Sequence, residues 1–475
     1  MTRFYTYINE QKTLNWKDYT TGNDELKKAL EVMKIIEDAG YEALIVGGFV
    51  RDVILGISSS DIDIATNMKP DEIDKHFRSI DVGKSKEFGV NVILYKGFQF
   101  ELAQYRADIY NSLEGSRGAE NVELVSSFKD DAARRDFTIN SLGINFKGEV
   151  IDHHGGTGDL ETKKITAVGD PKLRFTEDSI RMMRGVRAAA KLGFDIDPKT
   201  KETMQQMSQD IVKTSPERIR DELMKMAGRS GSKFAKAIVM LDEVGILEVI
   251  LPEITKLKEF KETPKYHPEA YEHGEGRVFD HVLQALKQNK IKDPIINLSI
   301  LMHDIGKGVT HQKIGDKHTF RGHAEKSKDL IDSIAARLKL STKDKNSILF
   351  SAVNHMKLHK ALDMKTTKIV KLVNDENWEV LKAVSYADDA CRVGLFDKKK
   401  FNEIIKNMEE IHNKWGDKVT NNTAKIIDGN LVMKVTGLRP SKEVGDIIKK
   451  VTDMVINRGS KEPFEVLIKQ AYQEI

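Results

Sequence analysis

The apolar pattern changes its period near residue 170, and no other feature constrains the fold as much. Before that point short strands alternate with helices. Residues 24–39 (DELKKALEVMKIIEDA) carry apolar side chains at helical spacing, ended by Gly40. Tyr41 to Val46 reads as a short strand, Gly47-Gly48 leads into a helical turn through Leu55, and residues 61–65 (DIDIA) alternate as a strand. Residues 90–105 (VNVILYKGFQFELAQY) read as a hairpin turning near Lys96-Gly97. Beyond about residue 170 nearly everything reads as helix. Strands with helices first and helices alone afterwards predict an α+β chain, a small mixed-sheet head followed by an all-α body.

The chain's 475 residues suggest about three domains at roughly 150 residues each. A hydrophobic share of 40% excludes disorder. The single cysteine, Cys391, excludes an internal disulfide and any Cys-rich zinc module. The most apolar run, Ile295 to Met302, is far short of the roughly 20 residues of a spanning helix. The start, MTRFYTYINEQKTLNWKDYT, has no apolar core, so neither a secretory nor a mitochondrial leader is expected, and a cytoplasmic protein without membrane partners is. The net charge of +3 (76 Lys and Arg, 73 Asp and Glu) hides a local excess: residues 163–229 hold 15 basic against 10 acidic side chains, a local +5. Such a stretch suits a phosphate backbone read by shape.

Two segments carry paired charges suited to phosphate chemistry. In Asp61-Ile62-Asp63-Ile64, a two-residue period puts both carboxylates on one face. Side by side they repel unless a cation intervenes, and Mg²⁺ favours such oxygen ligands. A solvated strand edge is the plain alternative. Upstream, Gly47-Gly48 lets backbone N–H groups approach a phosphate, with Arg51 and Asp52 in the same turn, and Glu101 on the later hairpin offers a third carboxylate. Residues 134–140 (RRDFTIN) then set two guanidinium groups beside Asp136, a set suited to a triphosphate and a ribose, or else a plain charge cluster at a helix start. In EDSIRMMRGVR, helical spacing places Asp178 and Arg181 on one side as acceptor and donor, with Glu177 steadying Arg181; a surface ion-pair helix is the alternative.

A second constellation comprises His281, His303-Asp304, His323, His355 and Asp388. These types suit a divalent metal, a transition metal or Mg²⁺, that polarises a phosphate ester and activates water.

GGFVRDVILG followed by DIDIAT resembles the signature of the polymerase-β nucleotidyltransferase superfamily, and more narrowly the class II tRNA nucleotidyltransferases (CCA-adding enzymes) and related bacterial poly(A) polymerases. RRDFTIN, EDSIR and SPERIRDELMK (residues 215–225) resemble that family's further motifs in the same order. The resemblance implies that Asp61 and Asp63 bind two Mg²⁺ ions, with Glu101 as the third catalytic carboxylate. It implies that Gly47, Gly48 and Arg51 meet the triphosphate, Asp136 the ribose, and Arg135 and Asn140 the nucleotide. Asp178 and Arg181 would select the base, with Glu177 and Arg184 beside them. The implied partners are a tRNA 3′ end, ATP and CTP. A loop between Glu101 and Arg134, with Arg106, Asp108 and Arg117, occupies the place of the family's C-to-A switching loop but departs from its usual D-G-R-R pattern.

LMHDIGKG resembles the HD phosphohydrolase signature, and YHPEAYEH, FDHVL, RGHAEKS, VNHMKLH and ADDACR around it resemble the HD domain fused to enterobacterial-type CCA-adding enzymes. That implies phosphatase, 2′-nucleotidase and 2′,3′-cyclic phosphodiesterase activities, with Lys307 on the phosphate; His267 and His273 stay unassigned. The tail from about residue 400 resembles the family's helical region that grips the tRNA elbow, while Lys398 to Lys400 read as a solvated face. The expected domains are an extension (1–24), a nucleotidyltransferase head (25–165), a helical neck (166–262), an HD domain (263–395) and a tail (396–475). Competing readings are a poly(A) polymerase, a CC- or A-adding enzyme, an HD phosphohydrolase with a nucleotide-sensing head, and a non-catalytic RNA-binding protein. The oligomeric state is open.

Overall fold

The computed structural model of the chain describes residues 13–59, 61–80, 89–109, 121–315, 317–392, 394–420, 427–457, 460 and 462–474. Most of the expected extension and Arg117 of the expected loop therefore lie outside the described residues. The chain divides into two compact units, residues 1–226 with 236–252, and residues 227–235 with 253–475.

The first unit is built on a seven-stranded sheet of order β3-β4-β5-β2-β1-β8-β9. Its strands are β1 (Ala43–Val46), β2 (Asp63–Thr66), β3 (Arg78–Ile80), β4 (Val90–Tyr95), β5 (Phe98–Gln104), β8 (Gly143–Asn145) and β9 (Val150–Ile151). All neighbours are antiparallel except β2 and β5. The β4–β5 hairpin turns at Lys96 and Gly97, both at positive φ, as a two-residue hairpin turn requires. The helix Asp24–Asp38 starts where the Asn23 side chain accepts from the N–H of Leu26, and it buries Leu26, Ala29, Val32, Met33 and Ile36. Residues Leu14 and Trp16 are tied to the sheet: Leu14 donates to Gly148 O (2.7 Å), and the Trp16 indole donates to Phe146 O (2.8 Å).

Three expectations change. The strand read over 61–65 starts at Asp63, because β1 ends opposite it at Val46 and the chain there turns away through Gly47. Asp61 and Ile62 therefore precede the strand. The segment after Glu101 is a loop only in part: β6 (Arg106–Ile109) pairs with β7 (Asn121–Leu124), so Arg106 and Asp108 sit on a strand. The helical half contains a further hairpin, Gln312–Ile314 with Lys317–Thr319.

The second unit is otherwise helical. Residues 427–471 form a small cluster of their own around Ile427, Val432, Ile447, Val451, Leu467 and Ile468. Another core gathers Leu358, Leu372, Trp378, Leu381 and Met408. No described helix is long and apolar enough to cross a membrane.

Candidate active site and metal-capable centre

In the first unit, parallel pairing of β2 with β5 sets Asp63 directly beside Glu101, while Ile64 and Leu102 point into the core. Burial, then the charges of Asp61 and Glu101, raise the Asp63 carboxyl to about pKa 6, against the pull of Arg135. Three carboxylates thus repel one another at one place, a donor set that suits a divalent cation. Above them Gly47 adopts φ +73; a Cβ there would lie 3.6 Å from Arg135 Nη1 and 3.7 Å from Asp63 Oδ2. The turn therefore needs glycine for its backbone and brings that backbone close over Asp63 and Arg135. Gly48 opens the helix Gly48–Ile54.

Arg51 is not a free phosphate ligand in this arrangement. Its Nε donates to Asp52 (2.8 Å) and its Nη1 to the Asn140 side chain (2.7 Å), while Asp52 also pairs with Lys191 (3.0 Å). Arg135 is held in turn: Nη2 and Nε reach Asp131 Oδ2 (3.0 and 3.2 Å), and Nη1 reaches Asn140 O (3.2 Å). Arg134 takes the other oxygen of Asp131. Asp131 is 1% exposed, and Arg135 and Arg134 keep its carboxyl below the ordinary value despite the burial that opposes its charge. Its spacing, three and four residues before the arginines, was the available signal.

Asp136 is buried and accepts from Arg184 (2.7 Å), the Asn140 amide (3.1 Å) and the Phe137 N–H (2.8 Å). Burial opposes its charge, yet Arg184 and these donors hold it ionised. The helix Ile180–Leu192, which carries Arg181 and Arg184, packs against Phe137 because residue 185 is glycine; a Cβ there would sit 2.6 Å from the Phe137 ring.

Glu177, Asp178 and Arg181 do not share one helix. Glu177 ends the helix Pro171–Glu177, Asp178 is extended at φ −157, and the next helix starts at Ile180. Arg181 nevertheless binds Glu177 (2.6 Å), and its other amino group donates to Arg134 O (3.0 Å). Both oxygens of Asp178 are taken by Arg218 (3.1 and 2.6 Å) of the helix Pro216–Ala227. Acceptor and donor are thus each braced by a charged partner, Asp178 by Arg218 and Arg181 by Glu177.

The second unit gathers its six expected residues into one buried cluster. Donor atoms of His281, His303 and Asp388 lie within 4.8 Å of one another, as do those of His303, Asp304 and His355. Asp304 Oδ1 is 3.3 Å from His323 Nε2 and 3.5 Å from His355 Nε2. The four imidazoles share one hydrogen-bond pattern. Their Nδ1 atoms face an acceptor: Glu269 for His281 (2.7 Å), Ile300 O for His303 (2.7 Å), Phe320 O for His323 (2.9 Å) and Ala352 O for His355 (2.9 Å). With the proton on Nδ1 each Nε2 would offer a lone pair, and all four Nε2 atoms are buried without a hydrogen-bond partner. Orphaned lone pairs facing two carboxylates fit a divalent ion.

Lys307 does not project as a free phosphate contact. It is 6% exposed and bridges Asp304 (2.8 Å) and Glu262 (2.6 Å), which hold it charged against burial. His267 lies 3.2 Å from Glu269 and 3.6 Å from Glu262, so it joins the outer layer of the cluster; His273 belongs to none of the three metal-capable groups found among the described residues. Glu262, Glu269 and Arg392 carry no pattern that marked them in the sequence.

Residues 43–166 match a family described as "Poly A polymerase head domain", and residues 193–258 one described as "Probable RNA and SrmB- binding site of polymerase A". The chain is 38% identical over 219 residues to a CCA-adding enzyme of Bacillus pumilus, covering 46% of this chain and 54% of the relative. It is 40% identical over 223 residues to that of Lactobacillus johnsonii, covering 47% and 54%. The chain thus spans about half the length of the curated relatives it matches. Its fold resembles the Bacillus stearothermophilus CCA-adding enzyme in complex with CTP at a TM-score of 0.66 and 21% identity, covering 95% of this chain and 98% of that one. It also resembles the Thermotoga maritima CCA-adding enzyme complexed with tRNA at 0.55 and 19%, covering 95% and 96%. The α+β architecture, a mixed-sheet head with a helical remainder, is therefore shared with these structures.

Proposed function

We propose that this chain adds CCA to tRNA 3′ ends from CTP and ATP by two-metal nucleotidyl transfer, and that its second unit hydrolyses phosphate esters. In this reading residues 25–165 are the nucleotidyltransferase head, 166–262 the neck, 263–395 an HD phosphohydrolase domain, and 396–475 a tRNA-binding tail, after an extension over 1–24. One observation carries the first activity: Asp63, paired with Glu101 beneath the Gly47 turn, is held at a raised pKa by burial and then by the charges of Asp61 and Glu101. Mg²⁺ bound there would neutralise the triphosphate and lower the pKa of the attacking 3′-hydroxyl. The chain's own groups do the rest. Asp61, Asp63 and Glu101 supply the oxygens, the backbone of Gly47 and Gly48 would approach the phosphate, and Arg135 stands beside Gly47. Asp136 receives the ribose, while Asp178 and Arg181 present an acceptor and a donor to the base. Relatives named CCA-adding enzymes over this half of the chain, and structures of that fold bound to CTP or tRNA, support the choice of substrates.

The second activity rests on the four orphaned Nε2 atoms with Asp304 and Asp388. A divalent ion held by His281, His303, Asp304, His323, His355 and Asp388 would polarise a phosphate ester and activate water. Lys307 keeps positive charge at this edge, and Glu269 orients His281.

The test is incubation with tRNA lacking its 3′ end, Mg²⁺, and CTP and ATP separately and together. Ordered addition stopping at three nucleotides is the expected result. The matched head description favours one second reading, a poly(A) polymerase, and long A-tails from ATP alone would establish it. No incorporation would sink both.

A further inference from the structure

We propose that a groove on the second unit, with a methionine-rich floor and lysines around it, docks an acidic amphipathic helix of a protein partner. The groove encloses about 660 Å³, and none of its lining residues belongs to either site described above.

The floor is apolar. Phe350 belongs to the helix Thr342–Asn354, Met356 to the helical segment His355–Asp363 and Leu372 to the helix Thr366–Val373, with Met364 in the turn between the last two. Phe350 and Met364 are half-buried against the core of Leu358, Leu372 and Trp378, whereas Met356 is 42% exposed. The floor is thus a place where that core reaches the surface, and apolar side chains laid on it would extend a core already built. Methionine adapts its unbranched chain to whatever covers it, which suits the face of a peptide.

The remaining lining carries charge. Lys357 and Lys360 come from one helical segment and Lys368 and Lys371 from the next, each pair three residues apart, and all four are exposed. Lys357 donates to the neutral Asn354 side chain (2.5 Å). Asp375, the carboxylate among the described lining residues, accepts through one oxygen from the backbone and side-chain N–H groups of Asn377 (both 2.9 Å). The groove therefore presents four ammonium groups against one carboxylate that is already engaged.

Floor and charge together select the occupant. A helix with apolar side chains along one face and carboxylates on its flanks would bury the first on the methionines and pair the second with the lysines. A nucleic-acid strand would meet the lysines and leave the methionines uncovered. A fatty acid would cover the floor and occupy one lysine. The volume lies within the roughly 300–1,000 Å³ of ordinary ligand sites, so it receives several side chains rather than a domain.

The test follows fluorescence anisotropy of three labelled probes with the full chain. They are a helical peptide with leucines along one face and glutamates on its flanks, the same peptide with lysines for the glutamates, and tRNA lacking its 3′ end. The glutamate peptide should bind and the lysine peptide should not. Lys360→Glu combined with Lys371→Glu should weaken the glutamate peptide about tenfold and let the lysine peptide bind. Met356→Ser should weaken the glutamate peptide by a similar factor. All three positions are exposed, so the variants should melt with the parent chain. No binding of the glutamate peptide, equal binding of the two peptides, or an unchanged affinity in Met356→Ser overturns the proposal. So does a loss of tRNA affinity in the double lysine variant with the peptide unaffected, which would make the groove an RNA surface.

Discussion

Replacing Asp63 by Asn tests the repulsion at the head site directly. Burial first, then Asp61 and Glu101, raise this carboxyl from 3.8 to about 6. A folded-state value above the unfolded one means that the folded protein holds the proton more tightly. Stability therefore falls as pH rises from about 4 to about 6, and the full cost is present above that window. A rise of about 2.2 pH units is worth about 3 kcal/mol at 1.36 kcal/mol each, which the solvent access of the site reduces to about 1–2 kcal/mol. Asparagine is neutral throughout. In chelator near pH 7.5, where Asp63 is ionised, Asp63→Asn should therefore melt roughly 2–8 °C above the parent chain. The advantage should shrink as pH falls through this window and vanish below about pH 4, where Asp63 is protonated in both the folded and the unfolded chain.

Mg²⁺ should reverse the order. A ligand that binds only the folded chain stabilises it by about 2.7 kcal/mol at a hundredfold excess over its Kd, and the variant lacks one of the charges that would hold the ion. Differential scanning fluorimetry over this pH range, in chelator and in Mg²⁺, reads both effects. A variant less stable than the parent in chelator near neutral pH would refute the electrostatic argument. Equal stabilisation of both proteins by Mg²⁺ would refute the placement of the ion.

Three further outcomes follow from named contacts. Arg218→Ala frees both oxygens of Asp178 and should blur the choice between CTP, ATP and the other nucleotides, read as the ratio of incorporation rates, with kcat/KM lowered about 10- to 100-fold, the usual scale for a lost charged contact of about 1.5–3 kcal/mol. In Gly306→Ala, a Cβ would sit 2.0 Å from His323 O and push back the start of the helix His323–Arg337; metal content by mass spectrometry should fall while nucleotide addition persists. Asp63→Ala should abolish nucleotide addition and spare ester hydrolysis, and Asp304→Ala should do the reverse; a variant that loses both activities would count against two separate sites.

The sequence was legible where local geometry decides. Lys96-Gly97 marked a hairpin because only a two-residue turn with positive φ joins the runs on either side, and the structure pairs Tyr95 with Phe98 across it. The DIDIA strand was misplaced at its start because alternation continues past the point where β1 stops pairing. EDSIR has the spacing of a single helix, yet a break at Asp178 keeps the same spacing while turning its carboxylate toward Arg218. The hairpin over residues 312–319 escaped notice because its strands are short and largely exposed, so no apolar alternation announces them.

What escaped notice at the sites has a common physical origin. The reacting groups are recognisable by type and order, but the residues that aim them are ordinary acids and arginines whose role exists only in space. Asp131 fixes Arg134 and Arg135 from one turn away, Arg218 reaches Asp178 from 40 residues on, and Glu269 meets His281 across a turn between two helices. Glu262 pins Lys307 across 45 residues. Each is a buried or half-buried charge whose partner offsets the cost of burying it, so removing either member leaves the other stranded. Sites built this way tolerate little change in their supports. Removing a support should therefore cost both the aim of the functional group and part of the chain's stability. For Glu269→Gln, which keeps an acceptor oxygen for His281 Nδ1 but removes the charge, metal should be retained at lower affinity; Glu269→Ala should lose it and melt lower in chelator, because His281 is left buried without its partner. Equal metal affinity in both variants and the parent would show that His281 needs no such aiming.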